Sequence, residues 1–265
     1  MLLRRVIDHV REQEWTAIWI DLVIVVVGVF IGIQVSNWND DRATARRAAV
    51  FSERLRSDLR EEAWSYEMQV GYYTDVADHG RRALDALTGR APLPDEQLLI
   101  AAYRATQFQG NIRRRATYDE LTSRGEIGLI GDDALRDLAQ RVYSTQVLQR
   151  FLDEGQASRY RQWFRLNLPH DVQQALTTAC GDRVVPAGNY AGIDHSIDYA
   201  CSTGLSAQSV AGAVAILRND PDAISLLRLR YTDVESTVFN LTTYNASLRD
   251  GLRAIAKASP RRGAH

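Results

Sequence analysis

The stretch Thr16 to Trp38, TAIWIDLVIVVVGVFIGIQVSNW, constrains this chain more than any other. From Thr16 to Ser36 it runs for about 21 residues, and a helix needs about 20 apolar residues to cross a hydrocarbon core. No charge falls between Leu22 and Ile33. Arg4 and Arg5 would suit the n-region of a cleaved signal peptide. The apolar run is too long for an h-region, however. The exit Gln34-Val35-Ser36-Asn37-Trp38 also lacks a small-x-small cleavage pattern. The sequence therefore predicts an uncleaved transmembrane helix over 16–36, held in the lipid bilayer. Trp15, Trp19 and Trp38 stand where an interfacial aromatic belt would place them.

One face of that helix is distinctive. At about 100° per residue, Asp21, Val25, Gly28, Gly32, Val35 and Asn39 fall within roughly 40° of one line. Gly28 and Gly32 form a GxxxG spacing, which lets two helix backbones approach closely in lipid. Asp21 shares the stripe, and an ionisable group there normally faces a partner or a wet cavity. The stripe predicts self-association or a partner helix. The other reading stays open: glycine pairs are common in membrane helices, and Asp21 can reach the headgroups.

The residues Ile20-Asp21-Leu22, Gly28 and the exit Gln34-Val35-Ser36-Asn37-Trp38-Asn39 resemble a family of uncharacterised single-pass bacterial membrane proteins. Those proteins have an acidic residue entering the span and Gln-x-x-Asn-Trp-Asn leaving it. Thr117-Tyr118-Asp119-Glu120-Leu121, Gly125 and Leu129-Ile130 resemble their central segment. Asp21 replaces the more usual Glu. The resemblance implies an architecture and no activity, cofactor or site residues.

Beyond the anchor, about 225 residues are ample for one folded unit. The chain has 265 residues, 6 Pro and 17 Gly, and its long stretches rich in Ala, Leu, Arg, Glu and Gln favour helix. The expected fold class is all-α: an N-terminal transmembrane helix followed by a long-helix bundle. A net charge of −1 gives no electrostatic case for nucleic-acid binding. Arg4, Arg5 and Arg11 precede the span, whereas Arg42, Arg46 and Arg47 follow it, so charge does not decide orientation. The cysteines bear on it more directly. Cys180 and Cys201 are the only two and lie in one irregular stretch, which reads as a disulfide in an oxidising compartment. Two unrelated free thiols are the alternative. The disulfide reading places the N-terminus in the cytoplasm and the body in the periplasm of a bacterial inner membrane.

Along the chain, 1–15 reads as a cytoplasmic amphipathic segment and 37–265 as the soluble bundle. From Asn39 to about Thr88 one apolar stripe, Val50, Phe51, Leu55, Leu59, Tyr66, Val70, Tyr73, Val76, Leu84 and Leu87, predicts a helix bending near Gly71 or Gly80. Gly89 to Pro94 is a break, followed by a helix over 95–108. Thr117-x-x-Glu120 matches a capping box. An Asp at 132 or 133 is expected to cap one long helix over 134–168, which Pro169 stops before a further run to Ala179. The segment 180–206 reads as a long loop. A helix over 206–217 follows, then one from Pro221 to about Ala258.

Chemistry is sparse. His9, His79, His170, His195 and His265 show no metal-ligand spacing, and no nucleophile elbow, P-loop or dinucleotide pattern is present. No catalytic, cofactor or metal residues are expected, and the chain reads as a non-enzyme. Arg113, Arg114 and Arg115 form a basic cluster able to meet an anionic partner, although a solvated charge run is the simpler reading. His195, between Asp194 and Asp198, is the one histidine in a polar cluster, with a solvated loop position as the simpler reading. The function expected is a membrane-anchored binding or scaffold protein of the cell envelope, acting as a homo-oligomer or with an envelope partner. The alternative is a periplasmic ligand-sensing module. With some 15 residues before the span, its output would come from a separate membrane partner.

Overall fold

The computed structural model describes residues 15–110 and 112–258, so the amphipathic segment expected over 1–15 lies, except for Trp15, outside the described residues. Every regular element among the described residues is helical, as expected, and there is no strand. Helix α1 is Trp15–Leu87, followed by α2 Asp95–Arg104, α3 Ala116–Ser123, α4 Asp133–Ser144 and α5 Val147–Gln156. Then come α6 Arg159–Asn167, α7 His170–Cys180, α8 Ala207–Asn219, α9 Pro221–Phe239 and α10 Ala246–Lys257.

The residues fall into two compact units. The first comprises Met1–Ser52 with the turn Gly128–Gly131. In it, α1 is apolar and exposed from Ile18 through Val35, and among the described residues it is the one helix long and apolar enough to cross a membrane. Phe51 and Ile130 are its buried side chains. Val50, expected on the buried stripe, is exposed instead.

The second unit comprises Glu53–Ile127 and Asp132–His265, and the later part of α1 is its central helix. Leu55, Leu59, Ala63, Trp64, Tyr66, Met68, Tyr72, Tyr73, Val76 and Ala83 are all buried. Apolar burial on this many sides marks a core helix rather than a surface one. Burying each large side chain contributes about 1.5–3 kcal/mol before chain entropy is counted. A second layer joins α2 (Leu98, Leu99, Ala102), α6 (Tyr160, Phe164), α7 (Val172, Leu176), α8 (Val214, Leu217) and α9 (Ala223, Leu227).

Helical structure runs unbroken through Gly71 and Gly80. Both are close-approach points. A Cβ on Gly80 would touch Tyr231 and Ala105, and one on Gly71 would stand 2.5 Å from Ile193 Cγ2.

Four boundaries depart from expectation. Helix α2 ends at Arg104 and not at Phe108. The capping box does not form: α3 starts at Ala116 with no side-chain cap, and Thr117 is buried inside it. Glu120 pairs instead with Arg54 at 3.0 Å and Arg124 at 3.3 Å. The helix expected over 134–168 is three, because the chain turns at Thr145-Gln146 and again at Ser158, whose hydroxyl caps Arg161 N–H. Asp132, as expected, caps α4 through Leu135 N–H at 3.1 Å. The last helix is broken by a π turn, Asn240–Tyr244, where Asn245 N–H reaches the Asn240 carbonyl. The Tyr66 hydroxyl donates to the Leu241 carbonyl there at 2.9 Å, giving the widened turn a buried partner. Asp220 caps α9 with Pro221 in its first turn, as the sequence predicts.

The Gly71–Ile193 approach is testable. Gly71→Ala should cost about 1–3 kcal/mol by overpacking. Ile193→Ala in the same chain should recover part of that cost, giving a non-additive double-mutant cycle. Thermal unfolding of the full chain in detergent checks this, and additive losses would contradict it.

Candidate functional site: the anchor face and the disulfide-loop cleft

On the anchor, the face predicted from the sequence is open. No atom lies within 4 Å of a Cβ built on Gly28 or Gly32, and Asp21 is exposed. Just beyond, the Arg42 guanidinium lies 3.8 Å from the Trp38 ring centroid, a cation–π contact at the exit of the apolar run.

In the body, polar chemistry gathers where the loop after α7 folds back over α1 and α2. Cys180 and Cys201 form a disulfide with Cα atoms 5.5 Å apart. Closing a loop with a sequence separation of 21 contributes about 3 kcal/mol in the chain-entropy model. Cys180 is fully buried in the core, so the bridge ties the loop to the packed interior.

Arg104, at the end of α2, organises this region although it is only 3% exposed. Its Nε donates to the Cys180 carbonyl at 3.3 Å and its Nη2 to the Tyr199 carbonyl at 2.9 Å. Nη2 also lies 3.4 Å from Cys201 Sγ. Tyr199 is sandwiched, with Arg104 at 4.6 Å and Arg183 at 3.5 Å from its ring centroid. A buried guanidinium is tolerated only when its N–H groups are met by acceptors. Here one cation satisfies both ends of the disulfide loop.

His79 on α1 stands beside it, equally buried. Its Nε2 is 3.3 Å from Asp198 Oδ1 and 3.5 Å from Arg104 Nη1, while Nδ1 has no partner. Burial, then the positive charge of Arg104, hold the imidazole down at about 4, so it is neutral at physiological pH. One turn earlier, Asp75 moves the other way. Burial, then Asp198, Asp194 and Asp78, push it up to about 7. His79 and Arg104 border a cleft of about 280 Å³, lined also by Arg82, Gln97, Asp198 and Tyr199.

The residues singled out in the sequence are placed differently. The disulfide pair is joined. Arg113, Arg114 and Arg115 do not converge on a common anion site. Arg113 Nε donates to buried Glu62 at 3.1 Å and its other nitrogens to the Thr145 and Val142 carbonyls. Arg114 pairs with Glu61 at 2.7 Å, and Arg115 with Asp119 at 2.8 Å. His195 ends a short 3₁₀ turn and is exposed. Sequence reasoning passed over His79, Asp75 and Arg104. The available signal was position: His79 falls between Val76 and Ala83 on the buried face of α1, and Arg104 ends the apolar run Leu98 to Tyr103. Among the described residues, no group of three or more His, Cys, Asp or Glu could hold a metal ion.

No protein-family model, curated protein or solved structure matches the chain.

The opposed shifts at Asp75 and His79 set a pH test. A raised carboxyl takes up a proton on folding, so its contribution is present at low pH and fades as pH rises from about 4 to 7. A depressed histidine loses a proton on folding, so its contribution is present above about 6.5 and fades toward 4. In the native chain the two slopes oppose each other across that window. Asp75→Asn should therefore lose stability as pH falls from about 6.5 to 4, and His79→Asn should gain it. Thermal midpoints across this range check the signs; identical pH profiles in the two variants would refute them.

Proposed function

We propose that the chain is a single-pass protein of a bacterial inner membrane, with its N-terminus in the cytoplasm and its helical body in the periplasm. In this reading the body is a non-enzymatic binding or scaffolding part of a cell-envelope assembly, and the protein works as an oligomer. The observation that carries the reading is the anchor face. Asp21, Gly28 and Gly32 lie on one line of an exposed apolar helix, with nothing within 4 Å of either glycine position. Small residues permit close backbone approach in lipid, and an ionisable group on the same line favours a partnered face. The resemblance to uncharacterised single-pass bacterial membrane proteins is in keeping with the anchor and supplies no activity. The disulfide supports an oxidising location for the body, since such bridges persist outside the reducing cytosol.

Ligand sensing through a separate membrane partner is the second reading. It is favoured by one observation, the cleft at His79 and Arg104.

Two experiments test the main reading. Chemical crosslinking in native membranes should trap oligomers that Gly28→Leu with Gly32→Leu largely abolishes. A monomer in native membranes, or oligomers unchanged by the double substitution, would remove the packing argument. Maleimide mass-shift labelling in intact cells should find Cys180 and Cys201 unreactive until reductant is added. Two free, membrane-protected thiols would reverse the orientation.

A further inference from the structure

The disulfide-loop cleft is bordered by charges of both signs. Arg82 and Arg104 supply the positive ones. Among the described residues Arg82 has no hydrogen-bond or ion-pair partner, although it borders the cleft. The Nη1 of Arg104 is that residue's least committed nitrogen, with only His79 Nε2 at 3.5 Å and Asp198 at 3.9 Å. Asp198, 57% exposed, supplies the negative one, and its Oδ1 is shared between His79 at 3.3 Å and Arg104 at 3.9 Å. Between them the wall is small and apolar, formed by Ile100, Ala101 and Ala200. The volume, about 280 Å³, sits just below the range of small-molecule sites. A bare anion entering here meets the Asp198 carboxylate. A bare cation meets two guanidinium groups. A ligand bearing both charges a few bonds apart meets the unpaired Arg82 and the exposed Asp198 together.

We infer that this cleft binds a small amino-acid-like zwitterion, its carboxylate on Arg82 and Arg104 and its ammonium on Asp198. The neutral imidazole of His79 lines the cleft without adding a third positive charge at neutral pH. Charge-assisted hydrogen bonds contribute enough that losing one weakens such binding by about tenfold or more. The inference does not depend on the scaffold reading: the cleft lies wholly within the helical body, and oligomer crosslinking reads the anchor.

The test is thermal unfolding of the full chain in detergent at neutral pH and constant ionic strength. Free glycine, sodium acetate and methylammonium chloride are the probes, supplying both charges, the anion alone and the cation alone. Free glycine should raise the unfolding midpoint saturably, as expected when a ligand binds only the folded state. Acetate and methylammonium should not. Arg82→Gln and Asp198→Asn should each weaken the glycine response tenfold or more, and Arg82→Gln should do so without lowering the unliganded midpoint, because its side chain is partly exposed and makes no ion pair among the described residues. Arg81→Gln, which removes a neighbouring charge paired with Asp78, should leave the response intact. No saturable response to glycine, an equal response to acetate or methylammonium, or retention of binding in both variants would each overturn the inference.

Discussion

The Arg104 guanidinium is the interaction on which the body's arrangement most depends. It sits at the end of a short apolar helix, out of water, and spends its N–H groups on carbonyls that bracket the disulfide. Breaking a buried, hydrogen-bonded charge costs about 3–5 kcal/mol, because the remaining groups cannot recover water. Packing alone would allow the loop after α7 many conformations over α1 and α2. The guanidinium, the covalent bridge and the Tyr199 sandwich together leave one. His79 and Asp75 take their shifted protonation from the same enclosure.

Charge is handled in the same way elsewhere along α1. Glu62 is buried and accepts from Arg113 Nε and Arg114 N–H, pinning the segment before α3. Glu67 is gripped by Arg249 and Arg253 of α10 at 2.7–3.0 Å. Tyr72 donates to Asp182 at 2.9 Å, and Tyr73 to the Gln109 carbonyl at 3.1 Å. One long helix thus carries an apolar core face and, between its apolar residues, polar groups that each fix a distant segment.

The all-helical class, the apolar span, the disulfide, the cap at Asp132 and the helix start at Pro221 were legible in the sequence, because each rests on local chemistry. The departures share a cause: tertiary partners outbid local signals. Thr117 is drawn into the core, so it cannot cap α3. The carbonyl of Leu241 is met by Tyr66, which lies 175 residues earlier, and no pattern near residue 241 announces a π turn. The break at Ser158 did have a local signal, a capping serine within an otherwise helical run. The cleft was hidden for a simpler reason. His79, Arg82, Arg104 and Asp198 come from three separate segments, and each alone reads as an ordinary surface or core residue.

The distances along the chain between these partners bear on how the body assembles. Glu67 awaits Arg253 across 186 residues, and Arg104 awaits Tyr199 across 95. Helical bundles usually fold fast because their contacts are local, and non-local closure slows the search. Here the central helix emerges from the ribosome first, while the arginines that pair with its Glu67 emerge near the end of the chain. The nascent body must hold an amphipathic, partly charged helix in solution until its C-terminal end arrives. For a helical protein, its folding rate should be set by chain closure and not by helix formation.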